Sequence, residues 1–184
     1  MQKSISALVL MAATVVAAPA LAQSFEEGAT FVTLSNLHHQ VGEAELYTLN
    51  YQLTGMIPMC TEVTVVKRKK KRITLSIDSI EYRMDYDKHS RKAGLSFDDV
   101  LGNYFGTECE ADKVSAMNDA DKRGIREGLP YVGMTKQGIL LAMGRPPQHA
   151  TPRLDTSVWM YWLNRYKRQA IHFDENGVVD RIRL

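Results

Sequence analysis

Cysteine is scarce, with only Cys60 and Cys109 among 184 residues. That excludes a disulfide-rich scaffold and a four-cysteine zinc site, and it allows at most one intramolecular bridge. Glycine (12) and proline (6) are also few, while 45% of the residues are hydrophobic. A collagen-like, low-complexity or disordered chain is therefore excluded. A surplus of one charge is missing as well. With 23 basic and 21 acidic side chains the formal net charge is +2, so whole-molecule electrostatics gives no ground for nucleic-acid binding, and any anion site must be local.

Motifs that carry chemistry are absent too. No Gly-rich phosphate loop follows a strand and there is no Gly-x-Ser-x-Gly elbow. Glu26-Glu27 falls in an expected flexible terminus, and Asp98-Asp99, like Asp119 and Asp121, suits helix starts better than an acid and base pair. Of the five histidines, His38, His39, His89, His149 and His172, only the first two are adjacent. Neighbours on a strand face opposite ways, and no cysteine or carboxylate follows at ligand spacing. No catalytic residue, metal or cofactor is expected.

The only long apolar run is Ala7–Ala18, after Lys3 and before Pro19 and the small-x-small triplet Ala20-Leu21-Ala22. Its twelve residues are too few for a spanning helix, which needs about 20. The pattern is that of a secretory signal peptide over residues 1–22. Gln23, not a lipid-bearing cysteine, follows the expected cleavage point. Export of this kind implies a bacterial periplasmic location, peripheral to the outer membrane at most.

Strict alternation then marks five strands: Ala29–Leu34, Leu46–Leu53 (Leu49, Tyr51 and Leu53 facing one way), Thr61–Val66, Ile73–Ile77 and Ile80–Tyr86. Such short strands need closure or a second layer to bury their apolar faces, which predicts a small SH3-like barrel over residues 23–92. From Leu95 the period becomes helical. Ser96 is placed as an N-cap of a helix ending near Phe105, a second helix spans Ala111–Glu127 with Gly128 as its stop, and a third starts at Thr135 and ends at Gly144. Three strands follow, Ser157–Leu163, Gln169–Phe173 and Val178–Leu184, the last two joined through Asn176-Gly177, a pair suited to the positive φ angles of tight turns. The fold class is α+β, with a second domain over residues 93–184.

Two resemblances add to this. Ile57-Pro58-Met59-Cys60-Thr61-Glu62-Val63 resembles the Pro-x-Gly-Thr-x-Val lead-in to a strand of bacterial SH3-like domains, with Cys60 in place of the glycine. Val132-Gly133-Met134-Thr135-Lys136, Met143-Gly144-Arg145-Pro146, Trp159-Met160-Tyr161 and Phe173-Asp174-Glu175-Asn176-Gly177-Val178, in that order, resemble the SmpA/OmlA (BamE-like) domain family. That resemblance implies two helices packed on a three-stranded antiparallel sheet, a place near the outer membrane, and a binding or scaffolding role. It does not carry over membership of the barrel-assembly complex, because the lipid-carrying cysteine is missing and a β-rich domain precedes the shared part. Proteinaceous β-lactamase inhibitors share the same plan, so fold alone leaves function open.

Four features are candidate interaction sites. Lys67, Arg68, Lys69, Lys70, Lys71 and Arg72 form six consecutive cations between two strands, in an expected hairpin loop. They serve either as a solvated guard against strand pairing or as contacts to anionic lipid, lipopolysaccharide or an acidic protein face. Trp159 and Trp162 stand three apart on one strand and point to opposite faces, so Met160 and Trp162 are candidates for a partner face if Trp159 lies beneath the helices. Arg145 and Arg153 bound a loop stiffened by Pro146, Pro147 and Pro152. An oxidising compartment favours a Cys60–Cys109 bridge between the domains. The expected function is a non-enzymatic envelope adaptor or scaffold with an envelope or outer-membrane protein partner and no nucleic acid. An enzyme inhibitor and a peptidoglycan-binding SH3-like module are the alternatives.

Overall fold

The computed structural model describes residues 24–184, so the expected signal segment lies outside the described residues. The architecture is mixed α+β with two sheets. Strands β1 (Thr30–Thr33), β2 (Leu37–His39), β3 (Glu45–Tyr47), β4 (Gly55–Ile57), β5 (Glu62–Lys69), β6 (Arg72–Ile77), β7 (Ile80–Asp85) and β8 (Phe105–Gly106) form one curled sheet in the order β4-β2-β3-β7-β6-β5-β1-β8. Its centre is the β5-β6-β7 meander. Alternation there turns Val63, Val65, Ile73, Leu75, Ile77, Tyr82 and Met84 inward to full burial. Asp78 and Ser79 both take positive φ between Ile77 and Ile80, matching the twist that a two-residue hairpin requires.

Two parts of this sheet differ from expectation. The Leu46–Leu53 run is a strand only at β3, which pairs in parallel with β7. The chain then turns at Asn50 (φ +43), so Leu49, Tyr51 and Leu53 form no common row. The amino-terminal stretch is tied down, not flexible: Phe25 is buried with its ring 4.7 Å from that of Phe31, and Glu27 Oε1 accepts the Arg68 N–H at 2.9 Å.

Between β7 and β8 the chain forms α1 (Lys88–Lys92) and α2 (Phe97–Gly102). Asp87 caps α1, accepting the His89 and Ser90 N–H groups. Ser96 and Asp99 cap α2 reciprocally, the Ser96 hydroxyl taking the Asp99 N–H and the Asp99 carboxylate the Ser96 N–H. The apolar side chains of α2, with Tyr104 and Phe105, pack in the same core as the meander, so this stretch of the expected second domain shares its core with the β-rich part.

A second core lies between α3 (Ala111–Ser115), α4 (Asp119–Glu127), α5 (Lys136–Met143) and a sheet of β9 (Val158–Trp162), β10 (Arg168–Phe173) and β11 (Val179–Arg183), order β11-β10-β9. The single helix expected over Ala111–Glu127 is broken because Asn118 caps α4, its Oδ1 accepting the Asp121 N–H at 2.8 Å. Asp121, itself buried, accepts the Thr135 N–H at 2.7 Å and the Thr135 hydroxyl at 3.0 Å. The Thr135 oxygen in turn accepts the Gly138 N–H at 3.0 Å. A Cβ at residue 138 would run into the Asp121 carboxylate, so this capping relay requires glycine there. In the β10–β11 turn only Gly177 has positive φ. Asp174 Oδ1 accepts both the Asn176 and Val178 N–H groups, so a side chain fixes the turn, and the Asn-Gly pair does not adopt two left-handed residues.

The two cores are joined by buried amides at the end of α5. Its last four carbonyls have no partner within the helix itself. Gly144 N–H reaches Leu140 O at 2.9 Å, Asn36 N–H reaches Leu141 O at 2.9 Å, Asn36 Nδ2 reaches Ala142 O at 3.2 Å and Asn50 Nδ2 reaches Met143 O at 2.8 Å. Asn36 Nδ2 also donates to Ile125 O at 2.7 Å in α4. Replacing Asn36 by alanine would strand the Ile125 and Ala142 carbonyls and the Met59 N–H in a buried site. We expect urea denaturation to show a loss of about 2–3 kcal/mol, and a loss below about 0.5 kcal/mol would contradict the bridging role.

Cys60 and Cys109 stand at disulfide distance, with Cα atoms 5.2 Å apart and a sequence separation of 49. Cys60 takes a left-handed conformation (φ +66) at the entry to β5. Its N–H donates to Thr33 O at 2.8 Å, and Thr33 Oγ1 accepts the next N–H, from Thr61, at 2.9 Å. Reduction, or the double change Cys60→Ser and Cys109→Ser, should lower stability by about 4 kcal/mol. Thiol alkylation without reductant should label neither cysteine; labelling of both would refute the bridge.

Candidate binding surfaces

The basic run is not one loop. Lys67, Arg68 and Lys69 lie in β5, Lys70 and Lys71 form the turn, and Arg72 opens β6, with Lys69 opposite Arg72. Its two arginines are anchored. The Arg68 guanidinium sits 4.2 Å above the Phe97 ring and pairs with Asp98 at 2.5 Å. Arg72 forms a fork with Asp85, one arm 2.9 Å long, and this hydrogen bonding holds the Asp85 carboxyl below the usual carboxylate range. Lys67, Lys69, Lys70 and Lys71 are exposed and have no carboxylate within ion-pair distance among the described residues. Local folding thus splits six charges into two fixed struts and four available ammonium groups at one hairpin tip.

The strand β9 separates its two tryptophans as the alternation implied. Trp159 and Tyr161 are fully buried beneath the helices, and the Tyr161 hydroxyl donates to Gly144 O at 2.8 Å. Trp162 faces the other way and is half-buried. Its ring lies 5.9 Å from His89, 5.6 Å from His149 and 6.4 Å from Tyr51, with the Arg168 guanidinium 4.5 Å from its centroid. The two imidazoles stack at 4.6 Å. One end of the outer face of the second sheet is thereby roofed by α1 and by the loop after α5.

The loop holding Arg145 and Arg153 is packed, not free-standing. Pro146 and Pro147 are buried, and buried Thr151 accepts the Met160 N–H at 2.9 Å along the edge of β9. Arg145 is exposed and borders three adjoining clefts with Asn103; the smallest, about 30 Å³, reaches His149 and Tyr104. Arg153 is engaged by Asp155, with Nε 3.0 Å from Oδ1. The structure therefore brings this loop to Trp162 through His149, while the basic hairpin belongs to the other sheet.

Sequence reasoning missed His89, His149, Tyr51 and Arg168 as neighbours of Trp162, and only a knowledge of where α1 docks could have grouped them. Burial in this cluster pushes the His149 imidazole below its ordinary value of 6.5, aided by His89 and Arg168 and opposed by Asp87. His38, buried beside Leu53 O, is also held down, chiefly by burial. Asp87 loses solvation, yet hydrogen bonds from Ser90, Thr48 and two N–H groups keep its carboxyl below the usual range.

Compared with protein-family models, curated proteins and solved structures, the chain gives no match. Among the described residues no group of three His, Cys, Asp or Glu side chains is arranged to hold a metal, and no helix is long and apolar enough to cross a membrane.

Protonation of His149 places a cationic quencher against Trp162. Tryptophan emission should therefore fall on acidification with a component whose midpoint lies below 6.5, and His149→Gln should remove that component while His89 stays beside the ring and Trp159 emission stays in place. An unchanged titration in the variant would disprove the assignment.

Proposed function

We propose that this protein is a non-enzymatic, exported bacterial envelope adaptor, located in the periplasm against the outer membrane. In this reading the curled sheet is an SH3-like unit and the two helices with the three-stranded sheet are a SmpA/OmlA-like unit. The ordered sequence motifs at residues 132–136, 143–146, 159–161 and 173–178 support the second assignment. The amino-terminal apolar segment supports export.

One observation carries the binding role: four lysines project from a hairpin whose neighbouring arginines are already paired. Guarding a sheet edge accounts for Lys67 and Lys69 alone, because β1 pairs with β5 only at Glu62–Thr64 whereas β6 is paired on both sides up to Arg72, and it leaves Lys70 and Lys71 at the turn unexplained. Clustered ammonium groups at a rigid tip suit an anionic membrane surface, each contributing about 1 kcal/mol near such a surface. Co-sedimentation with vesicles containing phosphatidylglycerol should show binding that weakens with added salt. Replacing Lys67, Lys69, Lys70 and Lys71 by glutamine should weaken it by at least about 100-fold. Equal binding by the variant would overturn the reading.

A further inference from the structure

The outer face of the second sheet has a composition that the hairpin reading does not use. Register places Trp162 opposite Arg168, Met160 opposite Ala170 and Val158 opposite His172; on the far side Ala170 faces Arg183 and His172 faces Arg181. These residues share one face, because their strand neighbours Trp159, Tyr161, Ile171 and Phe173 are buried in the second core. The face is therefore a short apolar row, Val158, Met160 and Ala170, framed by three arginines and a histidine.

The frame is electrically incomplete. Arg168, Arg181 and Arg183 are exposed, and none has a carboxylate within ion-pair distance among the described residues. Arg181 lies 3.4 Å from His172 Nδ1, a contact with no negative charge. The nearest acidic residue in sequence on β11 is Asp180, exposed and likewise without an ion pair. The Trp162 end is covered by His89, His149 and Tyr51, whereas Val158 at the opposite end is 37% exposed. Arginine, methionine and tryptophan together form the residue set enriched where proteins recognise one another. Planar guanidinium groups favour carboxylates held in fixed positions, which a polypeptide supplies.

We propose that this face binds an acidic, extended segment of a partner protein, in which carboxylates meet Arg168, Arg181 and Arg183 while interleaved apolar side chains cover Val158, Met160 and Ala170. The proposal rests on the adaptor reading and specifies its protein partner by chemistry; the lysine hairpin takes no part in it.

The test uses the purified protein and a synthetic peptide alternating glutamate with valine, with a lysine and valine peptide as control, followed by calorimetry. The acidic peptide should bind and the basic one should not. Changing Arg168, Arg181 and Arg183 to glutamate should weaken the acidic peptide by at least about tenfold and confer binding of the basic peptide. Circular dichroism confirms that the variant is folded, and a milder Arg-to-Gln variant should show the loss without the gain. A glutamate and serine peptide should bind more weakly than the valine version, because the apolar row is left uncovered. The hairpin lysine variant should keep full peptide binding, so loss of vesicle binding and loss of peptide binding report on different surfaces. Absence of acidic-peptide binding would overturn the proposal, as would equal binding by the charge-reversed variant or loss in the hairpin variant alone.

Discussion

Asn36 and Asn50 close the carboxyl end of α5 from outside the helix, and the placement of every surface around Trp162 follows from that closure. Both are buried, so their amides must be satisfied at both ends. They are: Asn36 Oδ1 accepts the Met59 N–H at 2.9 Å and Asn50 Oδ1 accepts the His38 N–H at 2.9 Å, while the Nδ2 groups donate to α4 and α5. Neither a carboxylate nor an aliphatic side chain could fill both roles. Gln52 extends the same seam, its N–H meeting Trp162 O at 3.0 Å and its side chain Met143 O at 3.2 Å. With the helix end fixed, Gly144 turns at φ +72 toward the buried prolines, and His149 is carried onto Trp162.

A near-zero net charge conceals how cations are divided between the two sheets. In the β5–β6 hairpin arginine is structural, stacked on Phe97 or forked to Asp85, and lysine is what remains for solvent or a ligand. On the β9–β11 face the division is reversed, with arginines exposed beside an apolar row. The chemistry of the two ions gives the difference meaning. An ammonium group is a compact, mobile point charge that tolerates a disordered array of anions, whereas guanidinium planes select partners of defined geometry. In the proposed reading one chain presents a tolerant and a selective cationic surface, one on each sheet, and the amides of Asn36 and Asn50 join the two cores that carry them.

What could be read from sequence was whatever repeats with a period. The β5-β6-β7 meander and the facing of Trp159 against Trp162 follow from parity alone, and Ser96, Thr135 and Gly144 mark helix limits by their own chemistry. Strands β2, β4 and β8, of two or three residues, are too short to show a period, and α1 (KHSRK) has no apolar face to reveal it. The Asn36 and Asn50 bridges were invisible for a different reason. Their partners lie 89, 93 and 106 residues away, so nothing local distinguishes these asparagines from ordinary turn residues. The His89 and His149 stack belongs to the same class, since it exists only after the two cores have met.

The position of Cys109 completes the argument. The chain leaves the first core at β8 and enters the second through α3, a helix with no buried residue and no side-chain cap. Such a crossing buries too little apolar surface to hold its own conformation, and in a chain tethered only by α5 it would be the element to open first. Cys109 lies within that crossing, and Cys60 lies on a turn already fixed by Thr33 and Pro58. A covalent link there acts on the segment that hydrophobic burial leaves weak, while the buried amides act on α4 and the end of α5, and the two converge at Met59 and Cys60, where Asn36 holds the Met59 N–H. The two attachments differ in chemistry and reach the second core at different points, Cys109 ahead of α3 and the end of α5, so each holds a part of that core which the other does not touch.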